Sequence, residues 1–275
     1  MHSFKTLEEF IRNDDQEKII SFLQSRSCNV NDCDSDSGTT ALMVAASLGK
    51  FEFVQLLLNH NANVKQHDVD GASALHMAAK NGYSEVCHEL LEAEAVIEAT
   101  DSGGWTPLIW ACYKGHVSTV ECLISKGGDV NARGQYNLTG LVWASGRGHY
   151  PIVELLLDQK DKIRVDAADK YGTTSLIWAT RAGHIDIVKL LLKAGANVDA
   201  VGMYSWTPLL VATRANHVDI VELLLSNNPN INTVDKDGMT ALATACKEGY
   251  SEIALKLINS GSSTNLQDRS GDTHL

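Results

Sequence analysis

The stretch LIWACYKGH, Leu108 to His116, decides the fold because the chain repeats it. LVWASGRGH (Leu141 to His149) stands 33 residues further on, and LIWATRAGH (Leu176 to His184) follows. Aligned on the leading leucine, the column reads Leu42, Leu75, Leu108, Leu141, Leu176, Leu209, Leu242 and Leu275. Every step is 33 residues except one of 35, where DQKDKIRVDAAD carries a two-residue insertion. A fixed period that keeps several columns at once signals stacked copies of one supersecondary unit.

The neighbouring columns say what that unit is. Two residues before the leucine stand Thr40, Ser73, Thr106, Thr139, Thr174, Thr207, Thr240 and Thr273, hydroxyls suited to cap a helix N-terminus. Pro107 and Pro208 come next, at the first helical position, where a missing N–H costs nothing. Four before the leucine the residue is glycine, with Asn137 and Ser205 as departures, which suits a tight turn. Three after it alanine recurs from Ala45 to Ala245, small enough for close helix approach, and seven after it glycine, or Asn216, ends the helix. A second amphipathic segment such as IDIVKLLLK follows, with a doublet such as Leu191-Leu192. The predicted unit is turn, short helix, glycine, longer helix, loop.

GWTPLIWA and SWTPLLVA resemble the ankyrin repeat, whose T-P-L-H-x-A signature and period of 33 they share. The resemblance covers nearly the whole chain and implies an all-α solenoid of stacked helix-turn-helix units with β-turn fingers. It implies a single array over 1–275, about eight repeats with the last truncated at SGDTHL. Leu7 to Gln24 fits as a divergent first repeat, with Phe10 where alanine is usual. A half repeat at the end covers nothing, so the expectation is the N-terminal piece of a longer protein.

Composition narrows the function. No run of about 18 apolar residues exists and the N-terminus has no signal architecture. Six cysteines without a CxxC pair read as reduced thiols of a cytosolic protein. A net charge of −11 makes nucleic acid an unfavoured partner. There is no phosphate loop and no nucleophile–base pairing, and the acidic residues read as scattered over helix surfaces. His116, His149, His184 and His217 look like a metal array, but they are one repeat apart and read as structural starts of the second helices. The chain therefore reads as a non-enzyme without metal or cofactor.

What remains is a surface. At 100° per residue, the leucine and the positions three, four and seven after it form the buried stripe, and the position two after it lies about 200° away. That position holds Val44, Met77, Trp110, Trp143, Trp178, Val211 and Thr244. In the ankyrin architecture it faces a concave groove, with the positions five and six after the leucine and the turn tips. Those positions add Tyr113, Lys114, Arg147, Arg181 and Arg214, the tips add Tyr136, Tyr171 and Tyr204, and Trp105 and Trp206 stand three before the leucine. All five tryptophans thus share one predicted face with a row of basic residues.

Two readings stay open. The indoles and the basic row are packing between repeats and a solvated face, or they are an interaction site of the aromatic–arginine kind that dominates binding hot spots. On the second reading these thirteen residues bind a linear, acidic and hydrophobic segment of a partner protein, with carboxylates on Arg147, Arg181 and Arg214. The alternatives are nucleic-acid binding by stacking and phosphate contact, or a rigid spacer. GGWTPLIWACYKGH, DKYGTTSLIWATRAGH and DKDGMTALATACKEGY look like the N-terminal repeats of the ankyrin repeat-rich membrane-spanning scaffold family. That resemblance implies a monomeric cytoplasmic recruitment module of a membrane-tethered parent, in signalling downstream of neurotrophin and other receptors. The ankyrin resemblance also places Asn131 and Asn232 where asparaginyl hydroxylation occurs.

Overall fold

The computed structural model describes residues 2–25, 28–266, 269 and 273. Gly271 and Leu275, the start of the truncated repeat, lie outside the described residues. The described helices pair off as the columns require, and no sheet forms among the described residues. The chain divides into two compact units, Met1–Gln135 and Tyr136–Leu275.

The first unit holds α1 (His2–Arg12), α2 (Gln16–Leu23), α3 (Ala41–Ser47), α4 (Phe51–Asn59), α5 (Ala74–Asn81), α6 (Ser84–Glu92), α7 (Pro107–Lys114) and α8 (Val117–Ser125). The second holds α9 (Gly140–Arg147), α10 (Tyr150–Leu157), α11 (Ser175–Ala182), α12 (Ile185–Lys193), α13 (Pro208–Arg214), α14 (Val218–Leu225), α15 (Ala241–Glu248) and α16 (Ser251–Asn259). Within each unit first helices pack on first helices and second on second, as α5 does on α3 and α7, and α11 on α9 and α13. The divergent first repeat joins this scheme: Leu7 and Ile11 of α1 are fully buried, and the Phe10 and Phe22 rings meet edge to face at 6.0 Å.

The core is the leucine column, the alanine column and the first member of each second-helix doublet. Ala45, Ala78, Ala111, Ala144, Ala179, Ala212 and Ala245 are wholly inaccessible, as are Leu57, Leu90, Leu123, Leu156, Leu191, Leu224 and Leu257. Burying each leucine contributes on the order of 2 kcal/mol. Burial of Cys87 and Cys112 pushes both thiols well above their ordinary range, and all six cysteines are free.

Fingers connect the repeats. Isolated antiparallel bridges close three of the described ones, between Cys33 and Thr40, His67 and Ser73, and Ala168 and Thr174. In four fingers an aspartate five before the cap holds the turn through one oxygen. Asp68 accepts from the backbone N–H of Asp70 and Ala72, Asp101 from Gly103 and Trp105, Asp169 from Tyr171 and Thr173, and Asp235 from Asp237 and Met239. In two further fingers that column is Gly134 and Gly202, and Tyr136-Asn137 and Tyr204-Ser205 turn the chain with φ of 61° to 62°. These are left-handed conformations that non-glycine residues seldom adopt. Neighbouring fingers are also bonded: Lys170 N–H donates to the Tyr136 carbonyl at 2.8 Å and Lys236 N–H to that of Tyr204 at 3.0 Å. On the loop side, the Asn232 Oδ1 atom accepts from Ser263 N–H at 2.9 Å.

The hydroxyl column caps as its spacing predicts, except at Ser73 and Thr174, which make no side-chain cap bond. Thr106, Thr139 and Thr207 accept from the backbone N–H three residues on, at 3.3 to 3.4 Å, whereas Thr174 is the N-cap of α11 without such a bond. Thr207→Ala is therefore expected to lower the unfolding free energy by about 1 kcal/mol, and Thr174→Ala by clearly less, as measured by urea denaturation.

Candidate functional site

In the Met1–Gln135 unit, Pro107 and the Thr106 cap fix the start of α7, which places Trp110 and Tyr113 one turn apart and leaves Trp105 in the finger. The three half-buried rings interlock. Trp105 lies 4.5 Å from Trp110 and 5.2 Å from Tyr113, and Trp110 and Tyr113 meet edge to face at 6.0 Å. Trp110 Nε1 donates to the second oxygen of Asp101 at 2.8 Å, and the Lys80 ammonium lies 4.5 Å over the Trp110 ring. Lys114 lies over Tyr113 at 5.6 Å. A hollow of about 350 Å³ opens between Asp68, Met77, Lys80, Asp101 and the two indoles.

His76 supports this cluster from below. Its Nδ1 accepts from Ser73 N–H at 3.1 Å, so Nε2 carries the proton and donates to the Trp105 carbonyl at 3.0 Å. Burial pushes the imidazole below its ordinary value, against the opposing pull of that carbonyl.

In the Tyr136–Leu275 unit the aromatic residues spread out. Trp143, Trp178 and Trp206 are half-buried, while the tip tyrosines Tyr136, Tyr171 and Tyr204 are 46% to 49% exposed and open to contact. Cations cover the rings: Lys170 lies 3.9 Å over Tyr136 and 4.8 Å over Tyr171, Lys236 5.5 Å over Tyr204, Arg181 6.0 Å over Trp178 and Arg214 5.0 Å over Trp206. Such pairs contribute about 0.5 to 1 kcal/mol at exposed sites. Two hollows open here. One of about 450 Å³ lies between Trp143, Gly146, Arg147 and Trp178, floored by Leu138 and Val142. The other, about 310 Å³, lies between Trp178, Trp206, Tyr204 and Arg181, with Asp169 in its wall.

Overlapping matches to the ankyrin repeat family model cover residues 7–101, 66–134, 97–167, 129–202 and 200–268. The chain belongs to the ankyrin repeat family. A comparison with curated proteins found no match. Ankyrin repeats are generally protein-interaction modules and typically non-enzymatic. Among the described residues, no helix is long and apolar enough to cross a membrane.

The ankyrin repeats distribute the thirteen sequence-predicted residues over the two units. Trp105, Trp110, Tyr113 and Lys114 cluster in the first. Tyr136, Trp143, Arg147, Tyr171, Trp178, Arg181, Tyr204, Trp206 and Arg214 belong to the second.

Several expectations need correction. In the column two after the leucine, Val44, Val211 and Thr244 are buried, so only the longer side chains reach the surface. The carboxylates are not merely scattered over helices: Asp68, Asp101, Asp169 and Asp235 form a finger column, legible as an aspartate five before the cap. Arg214 is not an open anion site, because its guanidinium stands 3.7 Å from the buried Asp235 carboxylate. Lys170 and Lys236, which cap the tyrosines, were absent from the predicted set.

The histidines sit where a structural role puts them. His116, His184 and His217 lie against Gly82, Gly148 and Gly183 of the repeat before, and His116 Nε2 donates to the Lys80 carbonyl at 3.1 Å.

His76 yields a pH dependence. A depressed imidazole pKa means that the unfolded chain takes up the proton first, so stability is full above about pH 6.5 and falls as pH drops toward the folded pKa. Urea midpoints measured from pH 7.5 to 5 are expected to decline more steeply for the native chain than for His76→Gln.

Proposed function

We propose that the finger-and-first-helix face of the Tyr136–Leu275 unit binds a linear, acidic and hydrophobic segment of a partner protein. The observation that carries this reading is the hollow between Trp143 and Trp178. The residue five after the leucine is Ser47, Lys80, Tyr113, Gly146, Arg181, Arg214 and Lys247 in successive repeats. Glycine stands there once, and without its side chain the gap between the two indoles stays open. The space accepts a large apolar side chain, and Arg147 stands at the hollow for a carboxylate of the same segment. Indole and guanidinium groups are those most often found at binding hot spots.

The aromatic cluster around Trp110 gives the Met1–Gln135 unit a second face of the same chemistry, reduced by its internal bonds to Asp101 and Lys80. The net charge of −11 favours a protein partner over nucleic acid.

We further infer that the chain is the recruitment module of a protein in the ankyrin repeat-rich membrane-spanning scaffold family. It would act as a monomer on the cytosolic side of a membrane in receptor-linked signalling. The segments GGWTPLIWACYKGH and DKYGTTSLIWATRAGH support this reading.

The test is capture of partner segments from lysate, followed by mapping and calorimetry of the mapped peptide. Trp143→Ala combined with Trp178→Ala is expected to abolish binding while the helical circular dichroism is retained. Gly146→Leu should fill the hollow, raise helix propensity by about 1 kcal/mol and lose binding with an unchanged or higher Tm. Binding that survives both variants would sink the assignment, and a steep loss of RNA affinity with salt would replace it with nucleic-acid binding.

A further inference from the structure

In two places a basic residue of one repeat stands in register with the finger of the next. The basic residue five after one leucine serves the finger of the next repeat: Arg214 meets Asp235, and Lys80 lies over the indole that occupies Asp101. The second unit breaks this register twice. The residue in register with Asp169 is Gly146, which has no side chain to send, and the residue in register with Arg181 is Gly202, which has no carboxylate.

The consequences are visible in the side chains. Asp169 is only 8% exposed. One of its oxygens is filled by the Tyr171 and Thr173 N–H groups at 2.8 and 2.9 Å. The other has no hydrogen bond and no cation within 4.0 Å among the described residues, unlike its counterpart on Asp235. Arg181 likewise has no carboxylate within that distance. Both residues line the same 310 Å³ hollow, whose walls are Trp178, Trp206, Tyr171 and Tyr204. A buried carboxylate without a counter-cation is costly, so a cation brought by a ligand would relieve that cost. The two backbone N–H groups already fix Asp169, so a ligand need not order it.

We propose that this hollow receives a basic side chain of the partner segment, its cation on Asp169, while a neighbouring carboxylate of the same segment pairs with Arg181. The inference rests on the binding-face reading above for its setting and adds a basic residue to an otherwise acidic and hydrophobic ligand.

The experiment titrates the isotope-labelled 275-residue chain with N-acetyl-lysine methylamide, N-acetyl-arginine methylamide and neutral N-acetyl-norleucine methylamide. The Trp178 and Trp206 indole resonances are the readout. Both cationic probes are expected to bind at least tenfold more tightly than norleucine, and less tightly at high salt. Asp169→Asn retains an oxygen for the two N–H groups and should erase the preference. Gly146→Arg should also erase it, by supplying the missing internal cation, and Arg181→Ala should leave it intact or stronger. Equal binding of norleucine, no response to either cation, or a preference that survives Asp169→Asn would overturn the proposal. So would a double-mutant cycle showing that Asp169 and Arg181 stabilise the fold as a mutual pair. Trp143→Ala lies outside this hollow and should remove partner capture without altering the titrations, so the two readings fail separately.

Discussion

Close approach of the first helices is the interaction on which everything else depends. Within each unit, alanines that are wholly inaccessible let one short helix lie close against the next. The distance between repeats is then set by backbone and methyl groups and not by rotamers. That is why a ring or a charge on one repeat falls within reach of the finger of another. Interiors packed at this density tolerate little change in volume, so the spacing persists along each unit.

The fingers turn that spacing into chemistry. An aspartate that holds its own turn with one oxygen has the other left for a further partner, which comes from its own repeat or from the preceding one. Trp110 takes it at Asp101 and Arg214 at Asp235. Glycines at 146 and 202 leave Asp169 and Arg181 without the partners that Asp235 and Arg214 find in each other. Structural differences between repeats thus arise from what is left out of a column as much as from what is placed in it. Gly146 illustrates both, because its absent side chain also opens the hollow between Trp143 and Trp178.

The tryptophans belong partly to packing and partly to the surface. Trp206 packs on the buried Ile177, Ala200 and Val211, and Trp178 buries an Nε1 that finds no acceptor, yet both rings line an open hollow. An unsatisfied indole N–H is a cost. A ring held this way is rigid, and a rigid aromatic surface loses little entropy when a partner covers it.

The period of 33, the hydroxyl caps, the glycine helix ends and the alanine stripe were legible in the residues alone, because each is a local requirement of backbone geometry repeated seven times over. So was the placing of indoles and basic residues at the fingers and first helices of each unit, since a helix of known pitch assigns faces without further information. The burial of Val44, Val211 and Thr244 was not legible, nor was the capture of Arg214 by Asp235 or of Trp110 by Asp101. Those outcomes turn on distances between side chains that are brought together only in the packed chain. Periodicity gives the order of such residues, but only the packed chain determines how far apart they come to rest.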